Sequence, residues 1–315
     1  MSDFKHVSVL LHETVDSLKV KPEGVYVDGT AGGGGHSYEL AERLDPERGR
    51  LYAFDRDPEA IDAAGKRLEG LPATLIHAPF DEMKDRLLEL GIDRVDGVML
   101  DLGVSSRQLD EAERGFSYHQ DAPLDMRMSG EGLSARDVVN DYTYERLRTI
   151  LFDYGEEKFA PAIAKAIVAA RADKPIETTL ELAGLVKASV PQKVRREKNP
   201  CKKTFQAIRI EVNDELGQLD RTLDEAFDLL KVGGRLAVIT FHSLEDRMVK
   251  RRFAEYAKGC ICPPDFPQCV CGRKPRGVGV FRKPVTASAE ELEVNNRSRS
   301  AKLRVIEKLR DSAKD

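Results

Sequence analysis

Four short apolar runs punctuate the first hundred residues, at 25–30, 50–55, 73–78 and 95–102. Between them, apolar residues recur every three or four positions. Leu40, Ala41 and Leu44 do so within 37–44, Ile61, Ala64 and Leu68 within 58–68, and Met83, Leu87, Leu88 and Leu90 within 81–90. Short run, helical spacing and short run again is the pattern of βαβ units. It predicts a parallel sheet with right-handed crossovers. Ahead of the first run, Val9, Leu10, Val15 and Leu18 predict a leading helix.

The next comparable run, 235–241, lies about 130 residues further on. A helical series from Phe205 to Leu230 leads into it, and Gly233 and Gly234 supply the stop. One crossover needs about a dozen residues or somewhat more, so roughly a hundred are surplus. Helical spacing fills them at 134–152, 159–171 and 178–190. The pattern predicts an α/β fold with a helical subdomain inserted between the fourth and fifth strands. The expected division is 1–108 with 212–315 for the sheet and 109–211 for the insert. Because the insert leaves from the carboxyl edge of the sheet, it is expected to overhang the ligand crevice. The stretch 259–284, rich in Pro, Gly and Cys, should be irregular, and 302–306 could form a last edge strand.

The loop after the first strand is almost all glycine, Asp28-Gly-Thr-Ala-Gly-Gly-Gly-Gly-His36. Glycines crowd where backbone turns tightly or a ligand comes close, although such a turn can also serve helix–sheet packing alone. Asp55 closes the second strand 27 residues after Asp28, where a βαβ nucleotide site places its ribose-reading carboxylate. A dinucleotide enzyme would carry Gly-x-Gly-x-x-Gly directly after the strand. Here a carboxylate comes first and glycines later, which resembles the first motif of S-adenosylmethionine (AdoMet) methyltransferases. AdoMet is cationic at its amino group and sulfonium, which favours a carboxylate such as Asp28. Its own carboxylate can take backbone N–H donors from the loop, and Asp55 can accept from both ribose hydroxyls.

Composition narrows the class. With 315 residues, 41% hydrophobic and 33% charged, the chain can bury a proper core beneath a soluble surface. No apolar run approaches the ~18 residues of a membrane span, and His12, Glu13 and Asp16 interrupt the start. A cytoplasmic protein without membrane attachment is expected. The net charge of −4 is unevenly spread: residues 190–310 hold 26 Lys and Arg against 16 Asp and Glu, the remainder 24 against 38. A basic segment on an acidic body suggests a polyanion held on one surface.

The fourth strand ends on Asp101 after Val98-Met-Leu100. A carboxylate leaving so apolar a run would be costly without a ligand or partner. Further strings follow: Asp101-Leu-Gly-Val-Ser-Ser106, Asp125-Met-Arg-Met128, the basic run 193–203, Phe241-His-Ser-Leu-Glu-Asp-Arg247, and Asn296 through Lys302-Leu-Arg304. Together with the glycine loop and Asp55-Arg-Asp57, they closely resemble the MraW/RsmH family of bacterial AdoMet-dependent methyltransferases. The resemblance runs over essentially the whole chain. It implies a Rossmann-like methyltransferase sheet interrupted by a helical substrate-recognition domain. It also implies methylation of N4 of one cytosine in small-subunit (16S) ribosomal RNA near the decoding site; the expected partner is that RNA, either free or within an assembled or late-assembly 30S subunit. Carried over by position, the cofactor contacts are Gly34, Gly35, His36, Asp55, Phe80, Asp101 and Gln108.

A cytosine amine is a poor nucleophile, so it must be held in line with the methyl–sulfur bond while acceptors take its hydrogens. Asp101 and Ser105 are the candidate acceptors, with Asp125, Arg127 and His242 in support. Residues 193–203 and the cluster Arg247, Lys250, Arg251 and Arg252 are candidates for RNA phosphates. No metal is assigned to the reaction. Cys260-x-Cys262 and Cys269-x-Cys271 either hold zinc or stay free thiols. An NAD-type oxidoreductase and a non-catalytic RNA-binding protein are the competing classes. The absent dinucleotide fingerprint opposes the first, and Asp28, the glycine loop and Asp55 together oppose the second.

Overall fold

The computed structural model describes residues 8–197, 199–263 and 266–311. Residues 1–7, Lys198 of the basic run, Pro264 and Asp265 of the cysteine-bearing stretch, and 312–315 lie outside the described residues. In chain order the elements begin with α1 (Leu11–Ser17), β1 (Val25–Asp28), α2 (Gly35–Ala41), β2 (Arg50–Asp55), α3 (Pro58–Arg67), β3 (Ala73–His77), α4 (Met83–Glu89) and β4 (Val95–Asp101). Seven helices follow: α5 (Ser106–Asp110), α6 (Ala135–Asp141), α7 (Tyr144–Asp153), α8 (Ala160–Asp173), α9 (Thr179–Ala188), α10 (Gln192–Glu197) and α11 (Cys201–Asn213). The chain closes with α12 (Glu215–Leu229), β5 (Leu230–Thr240), α13 (Ser243–Ala257), β6 (Gly277–Gly279), α14 (Ala289–Val294) and β7 (Lys302–Lys308).

Two compact units result, one of residues up to Gly103 with Gly217 onward, the other Val104–Leu216. The second begins and ends a few residues outside the expected 109–211. In the first unit the strands form one mixed sheet in the order β3-β2-β1-β4-β5-β7-β6. The first five are parallel; β7 runs antiparallel to β5, and β6 antiparallel to β7. This is the parallel α/β sheet that the βαβ pattern predicted, extended by two antiparallel strands. Its order reverses between β1 and β4, and the carboxyl ends of strands at such a switch point form the ligand crevice of open α/β sheets.

Side-chain alternation builds a core on each face of this sheet. Val27, Phe54, Val98 and Val238 pack with Met83 and Leu87 of α4 and with Leu219, Leu223 and Phe227 of α12. Their neighbours Tyr26, Ala53, Met99 and Ala237 face the other way, against Leu10, Val15 and Leu40. Burial on both faces explains why these strands read as continuous apolar runs.

The second unit has its own core, including Val138, Leu147, Ile150, Ile163, Ile167 and Leu182. The helix expected over 134–152 divides at Tyr142 and Thr143, which take extended conformations. Thr143 then caps α7 by accepting the Arg146 N–H at 3.2 Å. The long series before the fifth strand divides at Asp214, whose φ of 48° ends α11. β5 starts at Leu230 rather than Arg235, because Leu230 already pairs with Val95. Gly233 and Gly234 therefore do not stop the helix, which ends at Leu229; they lie in the irregular stretch of β5 where the register shifts, Gly233 at a φ of 83°. Among the described residues no helix is long and apolar enough to cross a membrane.

Candidate active site

Three carboxylates terminate three adjacent parallel strands: Asp55 on β2, Asp28 on β1 and Asp101 on β4. Strand pairing alone brings them to one rim of the sheet, although they are 27 and 73 residues apart in the chain.

Asp28 faces the glycine loop itself. Its Oδ2 accepts the Ser37 hydroxyl at 2.6 Å and its Oδ1 the Thr30 N–H at 3.0 Å. Only 1% of the residue is exposed. Burial lifts its pKa to about 6, against the lowering pull of Ser37 and Thr30 and with a smaller push from the Asp55 charge. Asp55 holds the loop from the other side, accepting the Gly32 N–H at 2.8 Å and the Asp57 N–H at 2.9 Å. Burial also raises its pKa, more than these two N–H groups lower it.

Between these anchors the loop stays open. A side chain at Gly33 would meet nothing within 4 Å. Gly34 has a φ of 75°, the left-handed region, and its Cα side lies against Ala64. A Cβ on Gly35 would come within 1.8 Å of Ser8 Oγ. Phe80, half-buried, begins the short turn after β3 and packs on the core beside Gly29.

Asp101 is the anomaly. Its Oδ1 is shut off from solvent and has no hydrogen-bond partner among the described residues. Its Oδ2 lies 3.6 Å from His36 Nδ1, too far for a good hydrogen bond. The other imidazole nitrogen of His36 sits 3.0 Å from the Val9 carbonyl oxygen. Burial holds the Asp101 carboxyl well above the usual carboxylate range, and the charges of Asp28 and Glu245 push it further. An acid in this state calls for a cation or a hydrogen-bond donor.

His242 follows β5 as the N-cap of α13, and Glu245 completes a capping box with it. Glu245 Oε2 accepts the backbone N–H groups of Phe241 and His242. The next residue, Asp246, grips the C-terminal strand, at 2.7 Å from Arg304 Nε and 3.0 Å from Lys302 Nζ.

The remaining candidates belong to the second unit. Ser105 and Gln108 form another capping box, the hydroxyl accepting the Gln108 N–H and the Gln108 side chain accepting the Ser105 N–H. Asp125 and Arg127 pair two residues apart, Asp125 Oδ2 lying 2.7 Å from Arg127 Nη2. Burial would raise the Asp125 pKa, but its bonds to Arg127 prevail and hold it below the ordinary value. Of the basic residues, Lys193, Arg195 and Arg196 are exposed, as are Arg247, Lys250 and Arg251. Arg252 is engaged by Asp220 and Asp224 of α12. Sequence reading passed over Thr30, Ser37 and Glu245. For Glu245 the signal was present, since His-x-x-Glu has capping-box spacing.

The family model described as the MraW methylase family matches residues 3–309. The chain belongs to that family. It is 55% identical over 311 residues to "Ribosomal RNA small subunit methyltransferase H 2" of Agathobacter rectalis, covering 97% of this chain and 99% of the relative. It is 54% identical to "Ribosomal RNA small subunit methyltransferase H" of Clostridium botulinum, covering 98% and 100%. A relative of the same name from Symbiobacterium thermophilum is 53% identical, with 97% of each chain covered. The methyl donor of this MraW-family chain is AdoMet. Its site fits that cation: an unpartnered carboxylate oxygen on Asp101, open backbone at Gly33 and an acidic anchor at Asp55.

Proposed function

We propose that the protein methylates the exocyclic N4 amine of one cytosine in small-subunit (16S) ribosomal RNA near the decoding site, acting in the cytoplasm on an assembled or late-assembly 30S subunit. The observation that carries the reading is the rim of Asp55, Asp28 and Asp101 around an open glycine loop, in a member of a methylase family. The names of the relatives support the ribosomal substrate. The choice of N4 rests on the motifs shared with the MraW/RsmH family.

Each residue then has a task. Gly34, Gly35 and His36 shape the loop that receives the amino-acid end of AdoMet. Asp55 keeps one lone pair free on each oxygen beyond its two backbone bonds, enough for two ribose hydroxyls. Phe80 borders the adenine, and Gln108 is the contact assigned from the second unit. Asp28 acts through the loop by fixing Thr30 and Ser37, and its charge favours the cationic end of the ligand. When bound, AdoMet supplies an electrophilic methyl group, which the amine takes by direct in-line transfer.

The amine must lose a proton as its new bond forms. Asp101 is the acceptor: a neighbouring cation favours its ionised form, which burial and the charges of Asp28 and Glu245 disfavour. Ser105 offers its oxygen as a second acceptor. Asp125, Arg127 and His242 act as positioning residues. A base must leave its stack to reach such a site. Residues 193–203 in the second unit and, separately, Arg247, Lys250 and Arg251 in the first offer cations to RNA phosphates, which makes binding steeply salt-dependent.

The test is transfer of labelled methyl from AdoMet to naked 16S RNA and to 30S subunits, with the product nucleoside identified. N4-methylcytidine formed on the subunit supports the reading. A different methylated nucleoside, or none on either substrate, rejects it.

A further inference from the structure

Among the described residues, the stretch between α13 and β6 has no hydrophobic core of its own. Ile261, Phe266 and Val270 are 51%, 50% and 74% exposed, and none of the described residues between Ala257 and Gly277 lies in a helix or strand. Yet four cysteines converge there. The sulfurs of Cys260, Cys262, Cys269 and Cys271 all lie within 4.8 Å of one another. Cys260 is 3.3 Å from Cys269 and 3.7 Å from Cys271, and Cys269 is 3.6 Å from Cys271.

These separations discriminate between chemistries. A disulfide would bring two sulfurs to about 2.05 Å. Four thiolates around one zinc at about 2.3 Å stand about 3.8 Å apart along the edges of the tetrahedron. The thiolates of an iron–sulfur cluster lie farther apart, around more than one metal. The Cys260, Cys269 and Cys271 sulfurs, 3.3–3.7 Å apart, are spaced as around a single tetrahedral ion, and Cys262 lies within 4.8 Å of each.

The backbone agrees through a reciprocal arrangement. Ile261, the middle residue of the first Cys-x-Cys pair, donates its N–H to Cys271 of the second at 3.5 Å. Val270, the middle residue of the second, donates to Cys262 of the first at 3.3 Å. Cys262 also donates its own N–H to Cys260 at 3.4 Å. N–H groups aimed at sulfur stabilise thiolates, the form a metal requires. This reciprocal lock relieves the short Cys-x-Cys spacer, because each pair is held by the other's backbone. Lys258 and Lys274 flank the cysteines in sequence and offset part of the double negative charge of a zinc tetrathiolate, whereas Arg273 is paired with Glu255 of α13.

We propose that Cys260, Cys262, Cys269 and Cys271 bind one structural zinc ion that replaces the missing core of residues 258–276. Four thiols lose four protons to solvent as the ion binds, and nothing is oxidised or reduced. The site lies outside the methyl-transfer machinery. Its consequence is mechanical: it closes the loop that returns from α13 to the edge strand β6, where the Arg276 N–H meets the Tyr256 carbonyl at 2.8 Å.

The full-length protein, purified under reductant without chelator, is assayed for metals and by X-ray absorption at the zinc edge. The expected result is about one zinc per chain with only sulfur in the first shell, at about 2.3 Å. The double variant Cys262→Ser/Cys271→Ser should lose the zinc and become protease-sensitive within 258–276, while its AdoMet affinity stays within about twofold. Should that variant fail to fold, cobalt(II) added to the chelator-stripped native chain gives the second readout. Intense visible bands of tetrahedral cobalt with thiolate charge transfer support the site. Chains that hold no zinc after anaerobic reconstitution with zinc sulfate, iron in its place, or zinc retained by the double variant would each overturn the proposal.

Discussion

The side-chain oxygen of Thr30 accepts the backbone N–H of Asp101 at 2.6 Å. This bond ties the glycine loop after β1 to Asp101, the last residue of β4. Thr30 also donates its own N–H to Asp28. Thr30→Val should therefore cost about 1–2 kcal/mol by leaving the Asp101 N–H without its acceptor. AdoMet affinity falls several-fold with it, whereas Thr30→Ser restores both. Thermal melts and calorimetric titration of the three proteins check this.

Asp55 serves both folding and binding, because Asn in its place leaves the Gly32 or the Asp57 N–H without an acceptor, at about 1–3 kcal/mol. Asp55→Asn keeps an acceptor for one backbone N–H but loses the charge that strengthens bonds to ribose hydroxyls. At about 1.5–3 kcal/mol for such charge-assisted bonds, AdoMet affinity should fall by about 10- to 100-fold. Maximal transfer at saturating cofactor changes far less. Equilibrium dialysis beside initial rates distinguishes this from a general loss of fold.

The raised acids give the strand rim a pH signature. Folding raises the pKa values of both Asp28 and Asp101. In the free protein, their contribution to stability is greatest while they are protonated. It declines as pH rises above the unfolded value of about 4, for Asp28 through about 6. Cation binding has the opposite sign, because it favours the ionised carboxyls. AdoMet affinity should therefore weaken as pH falls to 6 and below, and binding should release protons. Titration calorimetry in buffers of different ionisation enthalpy measures that release. Asp101→Asn should diminish it.

Asp246 behaves in the contrary way. Burial would raise its pKa, but bonds to Arg304 and Lys302 outweigh it and lower the value. Its contribution to stability is present at neutral pH and fades as pH falls through the lowered value. Asp246→Asn should cost about 1–3 kcal/mol at neutral pH, because Arg304 is left half-buried without its partner. The difference from the native chain narrows in acid. Denaturant melts across that range report it.

Much of this was legible in the chain. The parallel strands showed as apolar runs because both faces of the sheet are buried, and Asp28, Asp55 and Asp101 marked their carboxyl ends. Helix breaks were less visible: Tyr142 and Asp214 interrupt apolar series whose periodicity runs on across them. The start of β5 was hidden by Gly233 and Gly234, which look like a helix stop although Leu230 already pairs with Val95 ahead of them. Capping boxes were the subtler omission. Ser105-x-x-Gln108 and His242-x-x-Glu245 carry the spacing of helix starts, yet these side chains drew attention only as candidates for chemistry. That Thr30 and Ser37 answer Asp28 and Asp101 depends on how the loop folds back over the strand ends, which no local pattern encodes.

The central claim is that Asp101 accepts the proton of a cytosine amine poised for methylation. The direct measurement is single-turnover transfer from labelled AdoMet, at saturating cofactor, to 30S subunits by the native protein and by Asp101→Asn. The account predicts N4-methylcytidine from the native protein and a rate about a hundredfold or more lower from the variant, with AdoMet still bound. Full-rate transfer by the cofactor-loaded variant would contradict it.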